Sequence, residues 1–132
     1  NLKYDALVLR RAGVELRGIG FDTLLASTIL SGHIREHNLD ALAWRYLNIE
    51  KIPTKDLIGS GAKQIRMDEV PLDRICAYAC EDADTVYRLE PILAEELDRR
   101  GERELLDGLL QLPRAHAVRI DLRGHLAQYV HQ

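Results

Sequence analysis

Apolar residues recur at helical spacing over most of the chain. In "NLKYDALVLRRAG", Leu2, Ala6 and Leu9 fall near one face, Asn1 stands where an N-cap belongs, and Gly13 stands where a helix closes. The next stretch, "VELRGIGFDT", is short, punctuated by glycine and compatible with a strand. "DTLLASTILSG" then resumes a helix behind Asp22 or Thr23 and ends it near Gly32. "HNLDALAWRYLN" reads as a further helix capped at Asn38, and "KIPTKDLIGSGAKQ" as a loop with one helical turn capped by Thr54. Pro71 suits a first helical turn and opens a long pattern in which Leu72, Ile75, Ala79, Val86, Leu89, Leu93 and Leu97 keep a near-helical period. Pro91 removes the bond to the Tyr87 carbonyl inside that pattern, so a kink or a split into two helical pieces is expected. Beyond Gly101, "ERELLDGLLQL" reads as helical, "AVRIDLRG" alternates like a strand, and "HLAQYVHQ" favours neither.

This organisation is mostly helical, with at most two or three strands. So many helices around one short strand imply a sheet whose other strands lie upstream, and the start at Asn1, directly in a helical pattern, suggests a piece of something longer. Residues 1–101 form one unit in this reading, with 102–132 an uncertain helical or irregular tail. A length of 132 residues with 46% hydrophobic side chains suffices for one hydrophobic core. No window approaches the roughly 18 consecutive apolar residues of a membrane span, and no charged-then-apolar leader is present. A cytoplasmic, membrane-independent protein is therefore expected.

A net charge of -3 argues against binding nucleic acid through bulk electrostatics alone, which needs a basic surface. It does not exclude a metal-dependent nuclease, in which bound ions bring positive charge to the phosphate while carboxylates hold the ions. Cys76 and Cys80, four apart in one helix, read as small core residues rather than a disulfide or half of a zinc site.

The acids of "YACEDAD" change the picture further. At about 100° per residue, Asp82 points with Ile75, Tyr78, Ala79 and Val86, whereas Glu81 and Asp84 point away. Asp5 likewise shares a face with Leu2 and Leu9. An ionised carboxylate on a buried face is costly, so each of these acids should be neutralised, paired with a cation such as Lys3, Arg10 or Arg74, or bound to a metal. Tyr78, one turn before Asp82, lies on the same face, where its hydroxyl either caps the rim of the core or orients a water at the carboxylate.

At these residues the chain resembles a known family. "NLKYD" and "YACEDAD" look like the second and third acidic motifs of the 3'-5' proofreading exonuclease domain of bacterial DNA polymerase I, and "RGIGFDTLLASTIL", "HNLDALAWRYL" and "DLIGSGAKQ" follow in the family's order. The resemblance runs from Asn1 to about Leu97. It implies a ribonuclease H-like α/β fold, mostly helical here because the N-terminal strands are missing, and a two-metal exonuclease of the type with a tyrosine in its last motif. By that similarity Asp5 and Asp82 are metal ligands, Tyr78 orients the attacking water, and Asn1 and Arg35 help hold the terminal nucleotides. The implied cofactors are two Mg2+ or Mn2+ ions, suited to oxygen ligands and phosphate substrates. The implied partners are a single-stranded or frayed DNA 3' end and a polymerase domain on the same parent chain.

Departures from the family pattern set limits on this expectation. The family's first motif, Asp-x-Glu on an upstream strand, supplies two of the four carboxylates and is not in the sequence, so the chain alone is expected to be inactive. Thr54 stands where the family often has a base-stacking aromatic residue. An RNA-trimming exonuclease of the ribonuclease D type, which shares the carboxylates and tyrosine, is the alternative activity. A degenerate scaffold that binds nucleic acid is the non-enzymatic alternative, against which the joint presence of Asp5, Tyr78 and Asp82 speaks.

The remaining signals are weaker. His33 and His37 lack a zinc ligand set. The Gly-Ser-Gly at 59–61 has no Gly-Lys-Ser/Thr after it and is not a phosphate loop. Trp44 and Tyr46 read as core or rim residues of their helix. Lys51, Lys55, Lys63 and Arg66 are either DNA-backbone contacts or ordinary exposed loop residues.

Overall fold

A single long helix organises the molecule. In the computed structural model, which describes residues 1–111, the elements are α1 (Leu2–Arg11), α2 (Thr23–Leu30), α3 (Leu39–Leu42), α4 (Thr54–Ile58), α5 (Leu72–Arg100) and α6 (Arg103–Gln111). A wide π-helical turn, Ala43–Leu47, continues α3, and short 3-10 turns at Gly61–Lys63 and Met67–Glu69 lead into α5. Leu89, Leu93 and Leu97 form a fully buried stripe on α5, packed with Leu25, Ala26 and Leu30 of α2, Leu42 of α3 and Leu106 of α6. The 4-residue spacing of that stripe keeps it on one face, as the sequence pattern requires.

Local chemistry fixes where helices start and stop. Asp22 Oδ1 accepts the Leu25 amide at 3.0 Å and Asn38 Oδ1 accepts the Ala41 amide at 2.8 Å, so both expected caps form. Gly13 (φ 81°) and Gly101 (φ 69°) take left-handed conformations behind α1 and α5. In each case the following amide reaches back, Val14 N–H to the Leu9 carbonyl and Glu102 N–H to the Leu97 carbonyl, both at 2.9 Å, which is the Schellman closure. The segment read as helical after Gly101 is α6.

Several expectations are corrected. The segment "VELRGIGFDT" is irregular, and no strand occurs among the described residues. A strand needs a neighbour for its backbone groups, and Gly18 at φ 71° breaks the extension. Pro91 neither splits nor ends α5. Pro91 and Tyr87 both lie on the exposed face, so water can satisfy the Tyr87 carbonyl while Leu89 and Leu93, on either side, remain anchored in the core. Cys76 and Cys80 are exposed rather than in the core, because the buried stripe of α5 begins only at Thr85. A hydrogen bond with Cys76, followed by its charge, raises the Cys80 thiol above its ordinary value. The strand-like "AVRIDLRG" and the undecided "HLAQYVHQ" lie outside the described residues.

The C-terminal end of α5 is tied to α2 by charge. Arg100 donates to the Leu30 carbonyl at 2.9 Å, capping the end of α2, and also to Glu96 at 3.0 Å. Arg99 donates to the same carboxylate at 2.6 and 3.0 Å. The Arg99 and then the Arg100 hydrogen bonds hold the Glu96 carboxyl down to about 2, from an ordinary 4.5. A carboxyl with a lowered folded pKa contributes stability above its unfolded value and loses it as pH falls toward the folded one. Glu96→Gln is therefore expected to flatten the fall in melting temperature between about pH 4.5 and about pH 2, followed by circular dichroism. An unchanged acid limb would mean that this carboxylate is not coupled to folding.

Candidate active site

Tyr78 and Asp82 sit one turn apart on α5, and the segment between the π-helical turn and α4 lies against them. Asp82 Oδ1 is hydrogen-bonded to the ammonium of Lys51. The Lys51 side chain is 1% exposed, and its ammonium also lies 3.4 Å from Glu81 Oε2 and 3.9 Å from Asp40 Oδ1. Glu81 Oε2 further accepts the Ile52 amide at 2.8 Å, which fixes the backbone beside the lysine. The Lys51 ammonium stands 5.2 Å from the centre of the Tyr78 ring, within cation–π range. The Tyr78 hydroxyl meets Thr54 Oγ1 at 3.1 Å.

The electrostatics explain why a lysine is tolerated there. Burial pulls the Lys51 pKa down, but the Asp82 hydrogen bond and charge, followed by those of Glu81, outweigh it and leave the value raised. A buried ammonium with several carboxylate oxygens around it keeps its charge compensated. The face that Asp82 was expected to share is only partly buried, with Ala79 and Val86 exposed and the Asp82 side chain 37% exposed. Of the three outcomes expected for this acid, pairing with a cation is the one present. The cation comes from 31 residues earlier in the chain, and is none of Lys3, Arg10 or Arg74.

The other expected site residues are placed differently. Asp5 is exposed on α1, which presents Ala6 as its buried residue, with Leu2, Lys3 and Leu9 half-buried, so Asp5 does not share the inner face as its spacing with Leu2 and Leu9 suggested. It forms no hydrogen bond or ion pair with Tyr78 or Asp82. Asn1 occupies the N-cap position of α1 without a side-chain capping bond, and Asn1 and Arg35 are both exposed. Glu81 faces Lys51 rather than away from it, while Asp84 points outward and pairs with Arg88 at 3.5 Å. Thr54 is not the cap of α4. Pro53 holds that position, and the Thr54 hydroxyl is turned to Tyr78.

Among the basic loop residues, Lys55, Lys63 and Arg66 are exposed and Lys51 is not. An open cleft of about 390 Å³ runs beside Lys51, lined by Asp40, Trp44, Ile49, Glu50 and Pro53, with Trp44 63% exposed at its rim. Tyr46 packs against the core. His37 is buried, its Nδ1 2.8 Å from Ser27 Oγ and its Nε2 2.9 Å from the Ile34 carbonyl. Nε2–H donates to the carbonyl and Nδ1 is hydrogen-bonded to the serine hydroxyl, a structural role that occupies both ring nitrogens.

Sequence reasoning missed Lys51, Glu81 and the Thr54 hydroxyl as members of this cluster. The available signal was indirect. An inward acid demands a partner, and Lys51 is the lysine set between Ile49, Ile52 and Pro53. The residues present do not by themselves fit a divalent ion. Asp82 is engaged by an ammonium, Asp5 stands apart, and among the described residues no group of three or more His, Cys, Asp or Glu side chains is arranged to hold a metal.

Residues 1–98 match the 3'-5' exonuclease family, and the chain belongs to it. This is an enzyme family that generally uses divalent metal ions. The particular relatives are DNA polymerases I. The chain is 38% identical over 142 aligned positions to DNA polymerase I of Rhizobium leguminosarum, covering 97% of the chain and 14% of that relative. It is 39% identical over 100 positions to DNA polymerase I of Pseudomonas aeruginosa, covering 74% and 11%. It is 40% identical over 106 positions to that of Chloroflexus aurantiacus, covering 79% and 10%. The chain thus spans 14% or less of the length of these relatives. No helix among the described residues is long and apolar enough to cross a membrane.

Proposed function

We propose that this chain is the C-terminal part of a 3'-5' exonuclease domain of ribonuclease H-like α/β fold. The domain would remove nucleotides from single-stranded or frayed DNA 3' ends within a cytoplasmic polymerase of the DNA polymerase I type. The observation that carries the reading is the family match across residues 1–98, which contains both acidic segments in order. In this reading Asp5 and Asp82 are metal ligands, and Tyr78 orients the attacking water. Asn1 and Arg35, both exposed and free to meet a substrate, hold the terminal nucleotides. The position of Tyr78 and Asp82 on adjacent turns of α5 supports their acting together.

The cofactors in this reading are Mg2+ or Mn2+. Since the residues present do not hold a metal by themselves, the two carboxylates of an upstream Asp-x-Glu strand are required, and the chain alone is inactive. Two contacts support this role for Tyr78: its hydroxyl meets Thr54 Oγ1 at 3.1 Å, and the Lys51 ammonium lies beside its ring.

The test is side-by-side digestion of matched 3'-labelled single-stranded DNA and RNA by the chain extended upstream through an Asp-x-Glu strand. Release of mononucleotides from the DNA, abolished by Asp82→Asn, is the expected result. Preference for RNA would move the chain to the ribonuclease D type. Cleavage of neither, or full activity in Asp82→Asn, would overturn the reading.

A further inference from the structure

The disagreement between the donor set and a metal site has a definite cause, the Lys51 ammonium. The Lys51 side chain is 1% exposed, and its ammonium donates to Asp82 and, at 3.4 Å, to Glu81, with Asp40 at 3.9 Å. A lysine side chain gives up considerable rotamer freedom to be buried, and its ammonium gives up strong hydration. Here three carboxylates, those of Asp82 and Glu81 hydrogen-bonded and that of Asp40 farther away, offset that cost. The backbone is held as well, because the Ile52 amide is bonded to Glu81 at 2.8 Å. The lysine is thus fixed from both sides and does not merely drape over an acidic surface.

We propose that Lys51 is the resident counter-ion of the Asp82 and Glu81 carboxylates, and that its ammonium and a divalent ion exclude one another there. The inference rests on the reading of Asp82 as a metal ligand and goes beyond it by naming what occupies that carboxylate before an ion arrives. The physical argument is one of charge and space. The ammonium and a divalent ion repel one another across a shared carboxylate, so an ion at Asp82 competes with the Lys51 contact. The route out is open, since the cleft lined by Asp40, Trp44, Ile49, Glu50 and Pro53 adjoins Lys51. Asp40 and Glu50 on its walls would receive the displaced ammonium. Lys51 thereby sets a threshold for metal loading.

The test uses the chain itself and MnCl2, with bound Mn2+ read by electron paramagnetic resonance and folding by thermal melting, against NaCl of matched ionic strength. The unsubstituted chain is expected to bind Mn2+ weakly, in roughly the millimolar range. Lys51→Met removes the competing charge and is expected to tighten binding by about tenfold or more, with the melting temperature rising on Mn2+ addition. Lys51→Arg, which keeps the charge, should show no gain. The double variant Lys51→Met, Asp82→Asn should lose the gain.

No tightening in Lys51→Met, equal tightening in Lys51→Arg, or a gain that survives Asp82→Asn would each overturn the proposal. Should Lys51→Met fail to fold, Mn2+ but not NaCl is expected to restore its helical spectrum, and failure of Mn2+ to do so overturns it equally. These outcomes are separate from the digestion experiment. Mn2+ bound through Asp82 in the upstream-extended chain, with no effect of Lys51→Met, would sink this proposal and leave the exonuclease reading standing.

Discussion

Leu93→Ala is expected to lower the free energy of unfolding by about 3 to 4 kcal/mol, the cost of deleting a fully enclosed leucine and leaving a cavity that cannot collapse. Leu93 has no exposed surface and belongs to the cluster that joins α5 to Leu25, Ala26 and Leu30 of α2 and Leu106 of α6. A domain of this kind has about 5 to 15 kcal/mol to lose, so the substitution removes a large fraction of its stability. The control is Tyr87→Ala, six residues earlier on the same helix. Tyr87 is larger, but it is 81% exposed, so its loss is expected to cost about 0.5 kcal/mol or less. Urea denaturation followed by circular dichroism, with an unchanged slope, separates the two. Equal losses in the two variants would mean that the stripe of α5 is not the core. The consequence reaches the site, because Tyr78 and Asp82 are carried by the same helix and take their bearing from this packing.

How far the sequence foretold this arrangement depends on the range of each interaction. Local interactions were legible. The caps at Asp22 and Asn38, the closures at Gly13 and Gly101, and the leucine stripe of α5 each depend on residues within a few positions of one another, where spacing carries the information. Pro91 misled because the local rule concerns a lost hydrogen bond, whereas the outcome depends on which side of the helix the free carbonyl faces.

The site was half legible for the same reason. Helical geometry put Tyr78 one turn above Asp82, but the face it assigned them is not the core face, since Ala79 and Val86 are exposed and the Asp82 side chain is 37% exposed. The partner, Lys51, lies 31 residues away in a segment with no regular period. Periodicity also placed Glu81 outward. The loop that folds over α5 brings Lys51 and the Ile52 amide to it, so burial at that point is set by tertiary contact rather than by the helix's own pattern. Asp5 fails in the opposite sense. Its neighbours Leu2 and Leu9 are only half-buried, because α1 rests on the molecule mainly through Ala6, and a face inferred from apolar spacing was wider than the face in contact.

Asp22→Ala is expected to cost about 2 to 3 kcal/mol, more than an ordinary helix cap, because one buried carboxylate serves two helices. Oδ1 accepts the Leu25 amide of α2 at 3.0 Å, while Oδ2 accepts the Leu2 amide of α1 at 2.7 Å. Its negative charge also faces the positive N-terminal ends of both helices, and the residue is only 3% exposed, so little water screens it. Asp22→Asn divides the two functions. The amide oxygen can still cap α2, but the amide nitrogen placed against the Leu2 N–H cannot accept its proton. That variant is expected to lose about 1 kcal/mol. It should raise hydrogen exchange across α1 while leaving α2 protected, whereas Asp22→Ala should raise both. Identical exchange patterns in the two variants would mean that α1 is not held through this carboxylate. Because Asp5 and Asn1 ride on α1 and Tyr78 and Asp82 on α5, the orientation of one half of the proposed site relative to the other depends in part on Asp22, which holds α1 through the Leu2 amide and lies 3.6 Å from the Asn1 ammonium.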